Sequence, residues 1–269
     1  MAFIGGGNMA SAIIGGLVRQ GLAARIQVVE PLAEQRERLA QQWPVRVLPA
    51  AAASLSEADL AVWAIKPQSF AQAAEAAGPH LRAALHLSVA AGIRSESIST
   101  WLGSERIVRA MPNTPALIGQ GMTALFARPA VTQDERARVQ AVIATTGQSL
   151  WLEQEGQLDA VTALSGSGPA YVFYFIEALA QAGVDMGLSP QQSLQLAQAT
   201  FTGASALAQN SDESPQTLRE RVTSKGGTTH AALAVMQGAG LQQHFIAAVR
   251  AAQKRAVELG DEFAAPRRS

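Results

Sequence analysis

Two runs of this 269-residue chain carry residue types suited to binding anions. One lies toward the C-terminal end: Ser224-Lys225-Gly226-Gly227-Thr228-Thr229-His230. Its glycines allow a turn with positive φ and a close approach of backbone to a ligand. Its threonines open an apolar stretch, residues 231–236, that reads as a helix. A helix start presents unpaired N–H groups and a partial positive charge, which suit a carboxylate or phosphate. A plain glycine turn with a capping threonine is the other reading of the same residues. The second run, Gly5-Gly6-Gly7-Asn8-Met9-Ala10, matches G-x-G-x-x-(G/A) at Gly5, Gly7 and Ala10. It follows a strand-like Ala2-Phe3-Ile4 and opens a helix-like stretch, so it reads as a dinucleotide pyrophosphate turn. Two such sites in one chain imply a nucleotide cofactor at the first and a small-molecule substrate at the second.

Glu30 closes the next strand pattern. An acid there accepts a ribose 2′-OH and repels a 2′-phosphate, which favours NADH over NADPH; Arg36 or Arg38 reaching a 2′-phosphate is the alternative.

The elements that must position these residues change character along the chain. Residues 2–4, 26–30, 60–65, 85–89 and 107–111 are apolar runs of strand length, with weaker candidates at 122–126 and 150–152. Residues 8–20 have helical spacing, with Met9, Ile13 and Leu17 on one face. Thr132 to Glu135 is a capping box before a helix that ends near Gly147. Strands alternating with helices predict an α/β, doubly wound, mostly parallel sheet of Rossmann type. Beyond about residue 153 only helix patterns remain: Val172, Phe175, Ile176, Leu179 and Gly183 share a face, and Pro169, Pro190 and Pro215 sit where helices would start. The expected division is a dinucleotide-binding domain over 1–152 and an all-helical domain over 153–269, ending in a polar tail at 264–269.

Composition narrows the function classes. Lys plus Arg and Asp plus Glu are equal at 21 each, and no basic stripe appears, so no nucleic-acid partner is expected. No apolar run is long enough for a bilayer span, and the N-terminus lacks a basic region followed by an apolar segment and a cleavage site, so neither membrane nor export is expected. The absence of cysteine excludes a thiolate nucleophile and fits a cytoplasmic location. The four histidines, His80, His86, His230 and His244, lack metal-ligand spacing, so no metal is expected. Trp43, Trp63, Trp101 and Trp151 read as packing residues, and Glu155 as an exposed helix-start carboxylate.

Several segments together resemble pyrroline-5-carboxylate reductases over essentially the whole chain. They are Gly5-Gly6-Gly7-Asn8-Met9-Ala10, Ala64-Ile65-Lys66-Pro67-Gln68, Ser88-Val89-Ala90-Ala91-Gly92-Ile93, Arg109-Ala110-Met111-Pro112-Asn113-Thr114-Pro115, residues 160–171 and residues 222–229. The resemblance implies a Rossmann domain followed by a helical dimerisation domain. It also implies a homodimer whose active sites lie where a cofactor domain meets the helical assembly, and it allows a decamer of five dimers. The implied reaction is hydride transfer from NADPH or NADH to the imine of 1-pyrroline-5-carboxylate, giving L-proline. The resemblance puts the cofactor on Ile4, Gly5, Gly6, Gly7, Asn8 and Met9 at the pyrophosphate, Glu30 at the ribose, and Ala64, Ile65, Lys66 and Pro67 beside it. Val89, Ala90, Ala91 and Asn113 fall at the nicotinamide half. Ser224, Gly227, Thr228 and Thr229 would grip the substrate carboxylate, and the Thr162 hydroxyl would meet the imine nitrogen.

Relatives often carry a small or polar residue where this chain has Glu30, which leaves the cofactor preference open. A cyclic imine takes a proton from solvent, so no dedicated acid is required. The rival readings are a reductase of another small cyclic imine, a β-hydroxyacid dehydrogenase-like enzyme and a non-catalytic pyridine-nucleotide sensor. Residues 169–187 hold no lysine for the dehydrogenase chemistry, and a sensor needs no second anion site.

Overall fold

The computed structural model describes residues 1–264; the rest of the expected tail, 265–269, lies outside the described residues. Eight strands form one sheet: Ala2–Ile4 (β1), Gln27–Val29 (β2), Arg46–Leu48 (β3), Leu60–Trp63 (β4), Leu85–Ser88 (β5), Ile107–Met111 (β6), Gly121–Ala127 (β7) and Gly147–Trp151 (β8). Their spatial order is β3-β2-β1-β4-β5-β6-β7-β8. Neighbours run parallel throughout, apart from the antiparallel β6–β7 pair. This is the doubly wound arrangement the strand–helix alternation predicts. β3 has no counterpart in the sequence reading: it is three residues long, largely unburied and at the sheet edge, so its hydrophobic pattern is faint.

Asn8–Arg19 (α1), Ala33–Gln42 (α2), Phe70–Ala77 (α3), Ser95–Leu102 (α4) and Gln133–Ala144 (α5) accompany the strands. The period-two alternation of the inner strands splits the core in two. Phe3, Val28, Val62, Leu87 and Val108 pack with Ile13, Ile14 and Leu17 of α1 and Val139 and Ile143 of α5. Ala2, Ile4, Ala61, Trp63 and Ile107 point the other way, onto Phe70, Ala74 and Ile98 of α3 and α4. Burial on both faces is what makes these strands read as continuous apolar runs. The capping box expected before α5 is present: Thr132 Oγ1 accepts from the Glu135 N–H, and the Glu135 carboxylate from the Thr132 N–H.

Gln157–Val161 (α6) runs into a π-helical turn, Thr162–Gly166. Then come Gly168–Asp185 (α7), Pro190–Gln209 (α8), Pro215–Arg221 (α9), Thr228–Gly238 (α10) and Leu241–Glu262 (α11). Pro190 and Pro215 are first helical residues after serine caps, as expected, whereas Pro169 is second in α7, after Gly168. The chain forms two compact units: residues 1–167 together with the chain from Ala252, and Gly168–Ala251. The second unit is helical and leaves large apolar side chains exposed, among them Phe173 (57%), Tyr174 (69%) and Val235 (73%).

His86 on β5 is buried, and its Nδ1 accepts the Trp63 indole N–H at 3.2 Å. Its proton therefore sits on Nε2, which has no hydrogen-bond partner. Burial first, and the charge of Arg106 second, lower its pKa from 6.5 to about 4. The unfolded chain therefore takes up a proton more readily than the folded one between these values. The contribution of His86 to stability should be complete above pH 6.5 and fall by ~3 kcal/mol as pH drops to about 4. Urea unfolding of wild type and His86→Phe across this window checks it: the variant's stability should lose this slope.

Candidate active site

The sheet order reverses direction at β1 and β4, and ligands of open α/β sheets bind at the strand C-terminal ends beside such a point. The structure places the predicted cofactor residues of the first unit along that edge. Ile4 to Met9 follow β1, Glu30 follows β2, Ala64 to Pro67 follow β4, Val89 to Ala91 follow β5 and Asn113 follows β6.

Gly5 turns the chain at φ +93°, donating its N–H to the Val29 carbonyl at 2.8 Å. A Cβ here would lie 2.5 Å from the Ala64 carbonyl oxygen, so β1 and β4 approach this closely only through glycine. Gly7 caps α1 without any side-chain hydrogen bond, it is exposed, and a Cβ on it would meet nothing within 4 Å. An uncapped helix N-terminus opening on free space fits a dinucleotide pyrophosphate.

Glu30 is 7% exposed, not a solvated strand-end charge. One carboxylate oxygen accepts the Gly6 N–H and the other the Leu32 N–H, each at 2.9 Å. Its unused lone pairs remain for a ribose hydroxyl. Arg36 is tied to the strand end, donating from Nη1 to the carbonyls of Glu30 (3.1 Å) and Pro31 (2.7 Å).

Asn113 is engaged at both ends of its amide. Its Oδ1 accepts the Met122 N–H at 2.9 Å, and its Nδ2 donates to the Ser165 carbonyl at 3.1 Å. It thus ties the β6 end to the π turn. That turn closes on a 2.8 Å bond from the Ser167 N–H to the Thr162 carbonyl. Such wide turns recur at functional sites. Thr162 donates its hydroxyl proton to the Leu158 carbonyl at 2.7 Å, which leaves its oxygen as an acceptor only.

The expectation of an exposed Glu155 is wrong. Its carboxylate accepts from the Ser95 N–H and Oγ, each at 2.6 Å, and pairs with Arg109 of β6 at 2.7 Å. Burial pushes its carboxyl up, but the Arg109 charge and the Ser95 bonds outweigh this and hold it below the usual range. Asp159, two residues short of the end of α6, pairs with Arg94 at 2.8 Å. The sequence reading missed this ionic cluster because its partners are 46 to 65 residues apart.

Ser224, Gly227, Thr228 and Thr229 lie in the helical unit. The Gly227 N–H closes a turn on the Ser224 carbonyl at 3.0 Å, and Gly227 caps α10 with no side-chain hydrogen bond. Thr228 and Thr229 therefore open α10 with their N–H groups unmatched inside the helix. Ser224 and Thr228 are exposed and Thr229 is half-buried, so hydroxyls and amides are offered together. Lys225 and His230 are exposed.

Comparisons with known proteins cover both units. Residues 155–259 match the family model described as pyrroline-5-carboxylate reductase dimerisation, and residues 1–92 the one described as NADP oxidoreductase, coenzyme F420-dependent. A pyrroline-5-carboxylate reductase of Pseudomonas aeruginosa is 42% identical over 266 residues, 98% of this chain and 97% of the relative. A solved pyrroline-5-carboxylate reductase from Coxiella burnetii superposes with a TM-score of 0.88 at 36% identity, covering 96% of this chain and 97% of its own. The Plasmodium falciparum pyrroline carboxylate reductase, solved with NADP bound, gives 0.82 at 28% identity, covering 97% and 100%.

Proposed function

The chain belongs to the pyrroline-5-carboxylate reductase family, and from that premise we infer that it reduces the imine of 1-pyrroline-5-carboxylate to L-proline with NADPH or NADH, the last step of proline biosynthesis. The observation that carries this reading is the open, uncapped glycine turn at the strand-reversal edge, in a chain that matches these reductases end to end. A reduced nicotinamide, when bound, supplies the hydride. Everything else falls to the residues of this chain.

In this reading the backbone of Ile4, Gly5, Gly6, Gly7, Asn8 and Met9 holds the pyrophosphate, and Glu30 takes the ribose. Ala64, Ile65, Lys66 and Pro67 flank them. Val89, Ala90, Ala91 and Asn113 shape the nicotinamide half. Ser224, Gly227, Thr228 and Thr229 hold the substrate carboxylate. Thr162 cannot donate a proton while bonded to Leu158, so it accepts from the N–H of an imine already protonated by solvent. It orients the iminium and is not its acid. α7 contains no lysine, so an alcohol dehydrogenation of the β-hydroxyacid type has no candidate base there. We assign residues 1–152 to cofactor binding and 153–269 to dimerisation and substrate binding, in a cytoplasmic enzyme. The exposed apolar side chains of the helical unit support pairing with a second copy, and a decamer of five dimers is the assembly to look for by light scattering.

Mixing the protein with pyrroline-5-carboxylate and either reduced nucleotide should consume nicotinamide absorbance and yield proline. A folded protein that binds nucleotide and oxidises neither overturns the assignment. The double variant Thr228→Ala/Thr229→Ala should raise the substrate KM ~10-fold or more, the loss of hydrogen bonds to a charged group, with nucleotide affinity unchanged. A fall in nucleotide affinity with KM intact would reverse the assignment of the two sites.

A further inference from the structure

The loop after β5 carries Val89, Ala90 and Ala91, and the end of α11 packs against it. Gly92 in that loop (φ +74°) lies so close to α11 that a Cβ on it would be 3.3 Å from the Leu259 Cβ. Phe263, just past α11, packs against the same core cluster as Ala90 and Ile93. Two residues beyond Gly92 stands Arg94, which immediately precedes α4.

Arg94 touches two other elements at once. Its Nη1 donates to Asp159 of α6 at 2.8 Å, with the carboxylate almost wholly buried. Its guanidinium lies flat on Gly260 of α11: a Cβ at position 260 would sit 2.6–2.7 Å from Nη2, Cζ and Nε. Its neighbour Ser95 gives both N–H and hydroxyl to Glu155, just before α6. Residues 94 and 95 therefore hold α6 at its middle residue and just ahead of its start, and Thr162 follows Asp159 by three residues. The Arg94 charge is matched by Asp159 and is not offered to a ligand.

We propose that Arg94 is a positioning residue for hydride transfer, fixing the β5 loop at the nicotinamide half against the turn that carries Thr162, and that Gly260 is the seat that allows it. The proposal rests on the reading of this edge as an NAD(P)H site. A side chain at 260 must displace the guanidinium from its present seat, which disturbs its bond to Asp159 and loosens α6 against the loop. The adenosine end, built on the strand ends of β1 and β2, makes no use of this clamp.

Gly260→Ala is the informative variant, because it removes no polar group and, by helix propensity alone, should stabilise α11. It should nevertheless lower kcat ten- to a hundredfold, the order expected for reacting groups misplaced by about an ångström. Calorimetric titration with ADP-ribose, which lacks the nicotinamide, should give the wild-type Kd, while the Kd for NADH rises. Arg94→Met should show the same split, and Gly260→Ala/Arg94→Met should be no worse than Arg94→Met alone, since the seat has no purpose without its occupant. Wild-type kcat in Gly260→Ala, an equal loss of ADP-ribose binding, or additive losses in the double variant would each overturn the proposal. A wild-type protein that binds ADP-ribose and neither dinucleotide would overturn the cofactor reading beneath it.

Discussion

Gly5→Ala should lose nucleotide binding and stability together, whereas Gly7→Ala should lose binding alone. Alanine at φ +93° costs ~1–3 kcal/mol in backbone strain. Its Cβ would also meet the Ala64 carbonyl at 2.5 Å and the Ile65 Cγ2 at 2.6 Å. The Ala64 backbone has little freedom to yield, because its own N–H is bonded to the Ile4 carbonyl at 2.9 Å. The turn must therefore lift away from β4, carrying the amides of Gly6 to Asn8 with it. A displacement of about an ångström at a binding turn is worth ~100-fold, so affinity for NADPH and NADH should fall by at least that factor. At Gly7 the backbone is ordinary (φ −69°) and a methyl group meets nothing, so the melting temperature should stay at its wild-type value. That methyl group fills the space assigned to the pyrophosphate. Fluorescence titration and thermal melting of both variants separate the cases. A Gly7→Ala protein with wild-type affinity would place the pyrophosphate elsewhere.

The largest stability effect is expected at Glu155. Its removal leaves Arg109, 5% exposed, without its hydrogen-bonded carboxylate, with only the more distant charge of Asp159 to offset its own. Breaking a buried pair from one side costs ~3–5 kcal/mol. Ser95 loses the acceptor for both its N–H and its hydroxyl in the same step. Glu155→Ala should therefore be far less stable in urea than wild type, and Glu155→Gln, which keeps an acceptor oxygen, intermediate. The sign with pH follows from the lowered carboxyl of Glu155. Its contribution is complete above the ordinary carboxylate range and disappears as pH falls through the lowered folded value. Glu155→Ala should lack this part of the loss, while sharing the His86 slope at higher pH; if wild type and variant weaken in parallel below the ordinary carboxylate range, the pair is not what holds α6 in place.

The parts of this molecule governed by local rules were legible in its residues. β1, β4, β5 and β6 announce themselves because both faces are buried, and the serine and threonine caps of α5, α8 and α9 sit where their spacing puts them. The glycine turn was legible for the same reason: strand, turn and helix are contiguous. Whatever depends on distant partners was not. Glu155 looks like a surface acid until Ser95 and Arg109 are brought to it across 60 and 46 residues. Asn113 was read as a nicotinamide contact, and its amide bonds now visible to Met122 and Ser165 could not be inferred from a loop motif. β3 was lost because an edge strand of three residues has almost no pattern to show. The π turn at Thr162 is equally silent, since one extra residue in a helical turn leaves no compositional mark.

The unit that begins at Met1 is completed by residues from Ala252 onward. On a ribosome, which delivers the N-terminus first, the sheet can assemble while the helix end that backs Gly92 and Arg94 has yet to be made. The nascent chain must hold an unfinished loop through the synthesis of the whole helical unit. A message cut short near its end would yield a protein with every strand in place and an unsupported β5 loop. Full translation is thus written into the architecture as a condition for completing the loop that follows β5.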